Sequence, residues 1–356
     1  FRRVLFRSRY QFAAPDLGML VHGALRIIGE RLLREQKQWH DIPDADVPAI
    51  CRQATDELAP QVQHDILMSN AYFAQIKERL IQTLTRTVRR LSAFSAVSDF
   101  HMEGLEKSFG RPGSPWEALR FTLKNGLQVV VTGQIDRIDT LRQGDHKYVV
   151  IIDYKSGRKQ LDISQIFTGL ELQLLTYMFV ALLNIGGDAI PAAVLYCYVR
   201  NDKVSLEYRV SEEDKKKLYD AKGKLTGFYL DDGQVMQQLD TSMQGFSDFL
   251  NLRLKKDGTL SDSSHTLYNE AGWSHLLDWA ARQIRDIAGH IGDGDISIHP
   301  ILMGQQAPCS YCPYRPVCRF DVAVAGNTYD AAGREDTDEM IQKMFDEGDD
   351  EHGLDE

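Results

Sequence analysis

Carboxylates and a lysine end two neighbouring apolar segments of the sequence. Asp136 follows the residues TGQI, and Asp153 and Lys155 lie near the end of the segment VVIIDYKSG. Because side chains alternate between the two faces of a strand, Asp153 and Lys155 share one face, and an adjacent strand can bring Asp136 beside them. Close carboxylates repel each other unless a cation lies between them, and oxygen ligands suit Mg²⁺ or Mn²⁺. The pattern predicts a metal-assisted site for hydrolysis of a phosphodiester.

A second group of potential ligands lies near the C-terminal end of the sequence, in the segment PCSYCPYRPVCRFD. Its members are Cys309, Cys312 and Cys318. Tetrahedral zinc and cubane iron–sulfur clusters both normally take four protein ligands, so this group is one ligand short. His299, ten positions before the first of these cysteines, offers a fourth ligand for zinc. Cys51 and Cys197 each lie alone in an apolar segment, which is typical of buried thiols.

Composition limits the class of protein. The sequence has 356 residues, of which 43% are hydrophobic, enough to bury a large core. No segment approaches the roughly 20 apolar residues of a membrane span, and the first residues lack the apolar core of a secretory signal. Three clustered cysteines out of five do not form an even disulfide framework, which favours a reducing compartment. We therefore expect a cytoplasmic protein without a membrane partner.

The net charge is carried by one end of the sequence. Of the formal charge of −10, residues 333–356 contribute −9, because they contain eleven acidic and two basic side chains. A segment of this composition is typical of a solvated terminus, and we predict disorder for it. The remainder is close to neutral, so Arg86, Arg89 and Arg90 form either a local basic patch or an ordinary solvated helix face.

The apolar periodicity predicts an α/β fold. Helices are expected at residues 17–39, with Asp16 as the N-cap, and at 45–58, 70–96, 164–183, 212–225 and 268–290. Strands are expected at residues 101–109, 118–123, 127–138, 147–154, 192–199 and 204–210. The carboxylates and Lys155 thus lie on strands of a sheet that helices surround, and a helical arm precedes this sheet.

The order of these motifs resembles that of the PD-(D/E)xK nuclease family. The resemblance lies in G-x-I-D ending at Asp136, in D-Y-K from Asp153 to Lys155, and in a following helix with Gln173 and Tyr177 four residues apart. It implies a restriction-endonuclease-like mixed sheet flanked by helices and metal-dependent cleavage of DNA. Gln173 and Tyr177 would then line the active site or contact the DNA backbone. The alternative is a pair of surface strands with charged residues on the wet face, and we assign Asp139 to such a face.

Two further segments are similar to the RecB-type branch of this family. The helix DLGMLVHGAL resembles its L-G-x-x-x-H helix, which implies that His22 ligates the catalytic metal together with Asp136 and Asp153. The segment LEKSFG resembles the strand that opens the nuclease sheet. Its Glu106 either helps to position the site or is an ordinary surface carboxylate.

The cysteine motif is similar to that of AddB-type helicase-nuclease subunits. In that family a fourth cysteine far upstream completes a [4Fe–4S] cluster, which implies that Cys309, Cys312 and Cys318 bind such a cluster. The resemblance implies processing of DNA ends, single- and double-stranded, for recombinational repair in a heterodimer with an AddA-like helicase-nuclease subunit. Two alternatives stay open: a stand-alone RecB-like iron–sulfur nuclease of CRISPR adaptation, and a DNA-end-binding module with an inactive nuclease fold.

The sequence departs from the AddB pattern at its start. No cysteine precedes APDLGMLVH, and residues 1–8, FRRVLFRS, fit a sequencing-library adapter translated in frame. We expect residues 1–8 to be foreign, with the fourth cysteine ligand missing from the sequence; a basic DNA-binding arm is the other interpretation. The predicted division is then 1–8, a helical arm at 9–98, the nuclease core with the cysteine cluster at 99–325, and an acidic tail at 326–356.

Overall fold

The computed structural model describes most of the chain. It covers residues 14–62, 67, 69–157, 161–199, 211, 223–261, 265–304, 307–332 and 336–349. The chain divides into two compact units. The first consists of residues 1–107, 134–160 and 187–266, and the second of residues 108–133, 161–186 and 267–356.

The described elements begin with helices, continue with a run of strands from β1 to β5, and then mix helices and strands. In chain order they are α1 (Ala14–Arg34), α2 (Val47–Leu58), α3 (Ala71–Ser95), β1 (His101–Phe109), β2 (Leu119–Thr122), β3 (Gln128–Val131), β4 (Gly133–Gln143), β5 (His146–Lys155), α4 (Ile163–Phe167), α5 (Gln173–Ile185), β6 (Ala189–Tyr198), β7 (Thr226–Leu230), α6 (Gly233–Leu239), β8 (Leu267–Tyr268), α7 (Glu270–Gly292), β9 (Ile301–Met303), α8 (Arg315–Cys318), β10 (Asp330–Ala332) and α9 (Thr337–Asp349).

A six-stranded mixed sheet has the order β1-β4-β5-β6-β7-β8. Strands β4 and β5 run antiparallel, β5 and β6 parallel, and β6 and β7 antiparallel. Residues 149–152 of β5 are fully buried, as expected for a central strand that is covered on both faces. The predicted α/β class and the mixed sheet flanked by helices are thus confirmed.

The helical arm of the first unit is formed by α1, α2 and α3, which pack against one another. The apolar stripe of α1 is buried, as helical spacing predicts. Its buried members are Leu20, Val21, Leu25, Ile28 and Leu32. On the same helix, a Cβ on Gly29 would lie 2.2 Å from the Leu105 side chain, so the close approach of α1 to β1 requires a glycine there. This packing fixes α1 beside the sheet.

Several predicted boundaries are wrong for local reasons. Asp16 lies within α1 and does not cap it. The predicted strand 127–138 is two strands, because β3 pairs with β2 in a separate two-stranded sheet while β4 belongs to the six-stranded sheet. The predicted helix 164–183 is likewise split into α4 and α5, because Gly169 has a φ of +74°. The predicted strand 204–210 and nearly all of the predicted helix 212–225 lie outside the described residues.

The acidic tail contains an ordered helix, so the predicted disorder is wrong for residues 337–349. Helix α9 packs against α4 and α7 within the second unit, and Met340 and Met344 are buried. The Phe345 ring also stacks on His275, with centroids 4.8 Å apart. The apolar stripe of this segment therefore outweighs its high charge, and the described charged side chains, Asp338, Glu339, Lys343 and Asp346, are exposed. Among the described helices, none combines the length and apolarity needed to cross a membrane.

Candidate active site

Two carboxylates meet across the central strands of the first unit. The register of β4 and β5 pairs Arg137 with Ile152, and continuing it by one residue sets Asp136 opposite Asp153. Oδ2 of Asp136 accepts a hydrogen bond of 2.8 Å from the backbone N–H of Tyr154, which fixes the carboxylate against β5. Asp136 is 7% exposed and Asp153 is 1% exposed. The sheet thus holds two nearly buried carboxylates side by side, as the sequence predicts.

Helix α1 brings an imidazole to these carboxylates. Nδ1 of His22 lies 3.3 Å from Oδ1 of Asp136, and the His22 ring meets the Tyr154 ring edge-on with centroids 6.1 Å apart. His22 follows the buried Leu20 and Val21, so the packing of the apolar stripe determines where the imidazole points. The structure thus brings His22 to Asp136, while metal ligation by His22, Asp136 and Asp153 stays a prediction.

A third carboxylate completes the cluster. Ligand atoms of His22, Glu106 and Asp136 all lie within 4.8 Å of one another. Glu106 has a φ of 46°, an uncommon value for a residue other than glycine, in the middle of β1. The irregular backbone there turns the Glu106 side chain to the site. Sequence reasoning left Glu106 undecided; the segment LEKSFG was the available signal, but the backbone irregularity has no sequence signature.

The close carboxylates shift one another's protonation. Burial, and then the negative charge of Asp136, raises the pKa of Glu106 to about 7 and that of Asp153 to about 6, although Lys155 opposes the shift at Asp153. Burial lowers the pKa of His22, but the carboxylates of Asp136, Asp153 and Glu106 outweigh burial and raise it above 6.5. These groups of the site therefore hold their protons more tightly than they would in water, because the carboxylates are buried close together.

These donors fit a divalent cation. The carboxylates of Glu106 and Asp136 are hard donors suited to Mg²⁺ or Mn²⁺, the imidazole of His22 adds a nitrogen donor, and Asp153 lies beside this group on the next strand. Nζ of Lys155 lies 2.7 Å from Oδ2 of the buried Asp153, so the ammonium is the charged partner of that oxygen. A cation at the cluster would offset the mutual repulsion of its close carboxylates.

Asp139 does not lie on a wet face, so that interpretation is wrong. It is 2% exposed and accepts two hydrogen bonds of 2.7 Å from the guanidinium of Arg137, which is itself buried. The guanidinium also lies 5.6 Å from the centroid of Trp39. Because faces alternate along β4, this pair lies on the opposite side of the strand from Asp136. The ion pair is a buried support behind the cluster.

Gln173 and Tyr177 form a pair on α5 in the second unit. Nε2 of Gln173 donates a hydrogen bond of 2.9 Å to the Tyr177 hydroxyl, and the Tyr177 ring meets Phe109 edge-on at 6.1 Å. Both side chains are half-buried. The predicted i, i+4 pairing is present, while their contact with DNA stays a prediction.

Cys309 and Cys312 lie on short turns of the second unit, and Cys318 ends the short helix α8. Cys309 and Cys312 are half-buried and Cys318 is exposed. The backbone N–H of Cys312 donates to the carbonyl of Cys309 at 3.4 Å, and that of Cys318 donates to the carbonyl of Tyr314 at 2.9 Å. In the described parts of the chain, the sulfur atoms of these cysteines do not all lie within 4.8 Å of one another, which is the spacing of the ligand atoms of His22, Glu106 and Asp136.

His299, the alternative zinc ligand, is 65% exposed at its side chain and lies 3.8 Å from Oδ2 of Asp330. The zinc and iron–sulfur interpretations therefore both stay predictions.

The arginines of α3 have structural partners. Arg89 forms two hydrogen bonds with Asp44, at 2.7 and 3.2 Å. The Arg90 guanidinium donates to the carbonyls of Gly223 and Asp248, each at 2.7 Å. The guanidinium groups of Arg89 and Arg90 thus bind acceptors within the chain, which speaks against a basic patch for DNA at these two residues.

Comparison with known proteins identifies the family to which this chain belongs. Residues 1–319 match the model of the PD-(D/E)XK nuclease superfamily. The chain is 32% identical over 349 residues to the B-type subunit of the ATP-dependent helicase/deoxyribonuclease of Bacillus pumilus, covering 96% of this chain and 30% of the relative. It is 35% identical over 331 residues to the protein of the same name from Moorella thermoacetica, covering 92% of this chain and 29% of the relative.

A similar protein of this name from Bacillus subtilis is 33% identical over 328 residues, covering 91% of this chain and 28% of the relative. The chain thus spans less than a third of the length of these curated relatives. The activities and partners of the full-length relatives are therefore proposals for this chain.

Proposed function

Because this chain belongs to the PD-(D/E)XK nuclease superfamily, we propose that it is a Mg²⁺- or Mn²⁺-dependent deoxyribonuclease that acts as an exonuclease at DNA ends. The observation that carries the proposal is the cluster of Asp136, Asp153 and His22 beside Lys155, together with Glu106. The same groups speak against an inactive DNA-binding module, because each group needed for hydrolysis is present and close to the others.

In this mechanism the residues of the cluster have separate roles. Asp136, Asp153, Glu106 and His22 would hold the cation, which would lower the pKa of a water molecule and offset charge on the phosphate. Lys155 keeps its ammonium at the edge of the cluster, where it stabilises the negative charge that develops on the phosphate oxygens. The nearly complete burial of Asp136 and Asp153 strengthens these interactions, because bulk water screens them less. No covalent intermediate is required.

The proposal is tested by comparing wild type with Lys155→Ala on end-labelled DNA in the presence of Mg²⁺. We expect Lys155→Ala to lower the cleavage rate about 10²- to 10³-fold, as the loss of one charge-stabilising group does in other enzymes. Lys147→Ala is the matched control, because Lys147 lies on the same strand but pairs with the surface residue Glu103 at 2.7 Å. Equal rates for wild type and Lys155→Ala would remove Lys155 from the mechanism.

The relatives support a place for this nuclease in a larger assembly. Their names describe one subunit, of type B, of an ATP-dependent helicase/deoxyribonuclease. We infer that the chain is the nuclease portion of such a subunit, processes double-strand breaks for recombinational repair in the cytoplasm, and works with an AddA-like helicase-nuclease subunit. The names favour this role over a stand-alone nuclease of CRISPR adaptation. Co-purification of the full-length protein with a helicase partner tests it; a protein that purifies alone and degrades DNA without ATP would favour the alternative.

The cysteine segment is proposed to bind a [4Fe–4S] cluster. Cys309, Cys312 and Cys318 supply three soft thiolates from short turns and a short helix, and such ligands suit iron–sulfur chemistry. The fourth ligand would be a cysteine of the full-length protein outside this sequence. Iron and acid-labile sulfide, measured on the full-length protein, test the proposal. About four of each per chain is the expected result, and stoichiometric zinc without iron would instead favour a site that includes His299.

A further inference from the structure

A buried tyrosine lies beside the proposed catalytic lysine. Strands β5 and β6 run parallel, and their register pairs Asp153 with Tyr196 and Lys155 with Tyr198. Paired residues of neighbouring strands point to the same face of a sheet, so Tyr196 lies on the face that carries Asp153 and Lys155. Tyr196 is 0% exposed. The sheet therefore holds the Tyr196 ring in a fixed position beside the site.

Two of the contacts of the Lys155 ammonium bear on where it lies in the site. Nζ is 2.7 Å from Oδ2 of Asp153 and 5.4 Å from the centroid of the Tyr196 ring. A lysine ammonium within about 6 Å of an aromatic centroid is attracted by the negative face of the ring. The lysine side chain is flexible, so a single contact fixes its distance from one point but not its direction. The ring supplies the second contact.

The two contacts differ in what they do during the reaction. Asp153 is also a proposed cation ligand, so its negative charge is shared between the cation and Lys155. The Tyr196 ring has no formal charge. Unlike Asp153, it does not bind the cation, and it does not compete with Lys155 for the phosphate. The ring attracts the ammonium and leaves N–H donors of Lys155 available to the phosphate.

We propose that Tyr196 is a positioning residue that holds the ammonium of Lys155 toward the scissile phosphate through its aromatic face. This inference rests on the proposed nuclease function, which assigns Lys155 its role. It assigns the effect to the ring and not to the hydroxyl group of Tyr196.

The variants Tyr196→Phe and Tyr196→Leu separate the ring from the hydroxyl. We expect Tyr196→Phe to keep the cleavage rate within about threefold of wild type, because the aromatic face remains. Tyr196→Leu should lower kcat about tenfold and leave KM for DNA nearly unchanged. Combined with Lys155→Ala, Tyr196→Leu should have no further effect, because the group that it positions is gone.

A control variant accounts for the loss of a buried tyrosine as such. Tyr229 is also 0% exposed, lies on β7 of the same sheet, and donates its hydroxyl to the carbonyl of Leu225 at 3.0 Å. Tyr229→Leu should lower thermal stability about as much as Tyr196→Leu and leave kcat of the folded protein close to wild type. An equal fall of kcat in both leucine variants, or in Tyr196→Phe and Tyr196→Leu, would overturn the proposal.

A spectroscopic measurement tests the geometry independently of nuclease activity. The methylene group next to Nζ of Lys155 should show an upfield NMR shift from the Tyr196 ring current, assigned by its loss in Lys155→Ala. The shift should persist in Tyr196→Phe and disappear in Tyr196→Leu. Absence of the shift in wild type would refute the positioning contact. A protein that shows the shift but cleaves no DNA would instead refute the proposed function and leave the contact standing.

Discussion

The carboxylate cluster of the first unit and the cysteine segment of the second unit are both sets of metal ligands, but the chain holds them differently. The hydrogen bonds of β4 and β5 and the packing of α1 fix Asp136, Asp153 and His22, and the two aspartates are nearly buried. Cys309, Cys312 and Cys318 are half-buried or exposed and lie on turns and a short helix held by a few local hydrogen bonds. A site built on a sheet is preorganised before any ligand binds, whereas a site built on turns depends on its ligand for its geometry.

This contrast first predicts a large functional effect at the preorganised site. Asp136→Asn keeps the size of the side chain but removes its charge, so we expect the DNA cleavage rate to fall about 10³-fold. The measurement is single-turnover cleavage of end-labelled DNA at saturating Mg²⁺. Asp145→Asn, in the exposed turn between β4 and β5, is the control and should cleave at the wild-type rate. Activity in Asp136→Asn close to wild type would contradict the assignment of the cluster.

The buried support behind the cluster should matter strongly for stability. Arg137→Met leaves Asp139 charged and buried without its partner, and we expect the free energy of unfolding to fall by about 3–5 kcal/mol. Urea unfolding measures this change. The double variant Arg137→Met/Asp139→Leu should recover most of the loss, because no unpaired charge remains. A double variant that is as unstable as the single one would show that packing, and not the lone charge, is responsible.

The carboxylate cluster should also make the metal-free protein sensitive to pH. Glu106, with a pKa of about 7 in the folded protein against 4.5 ordinarily, binds its proton more tightly when folded. Its contribution to stability is therefore complete below about pH 4.5 and is lost as pH rises through 7. Asp153, at about 6, and His22 shift in the same direction, so their contributions are also lost on raising the pH.

In EDTA, we expect the free energy of unfolding of wild type to fall by about 1–3 kcal/mol between pH 5 and pH 8. The measurement is urea unfolding at a series of pH values. Glu106→Gln should reduce this fall, because a glutamine does not titrate, and added Mg²⁺ should reduce it in wild type by neutralising the cluster. A fall that is identical in wild type and Glu106→Gln would exclude Glu106 as its source.

The smallest effect is expected at the cysteine segment. Cys318→Ser in this chain, without a bound cluster, should change the free energy of unfolding by no more than about 0.5 kcal/mol, because the side chain is exposed. Urea unfolding in the presence of a reductant measures it. The same substitution in the full-length protein should abolish iron binding. A large loss of stability in the metal-free chain would show that the segment is packed more firmly than its exposure indicates.

Much of the fold follows from sequence periodicity, and the failures have local causes. The apolar stripe of α1 and the alternation along β4 and β5 are read directly from residue spacing, and the structure has Asp136 and Asp153 on neighbouring strands, as that alternation predicts; His22 was recognised only through the family resemblance. Asp139 was misjudged because a charged residue in a strand is usually exposed, and the partner that allows its burial is recognisable only in three dimensions. The order of α9 was missed because its charge obscured a short apolar stripe that packs on α4 and α7.

The sequence by itself determined which chemical groups the protein has and which strands carry them. Periods of 2.0 and 3.6 residues specify a face, and a face is enough to set Asp153 with Lys155 and to bury the α1 stripe. Only the tertiary structure decided that Glu106 joins His22 and Asp136 and that the Tyr196 ring lies against Lys155. These contacts join residues far apart in sequence, and they depend on a local φ reversal and on strand register, for which single residues carry no signal.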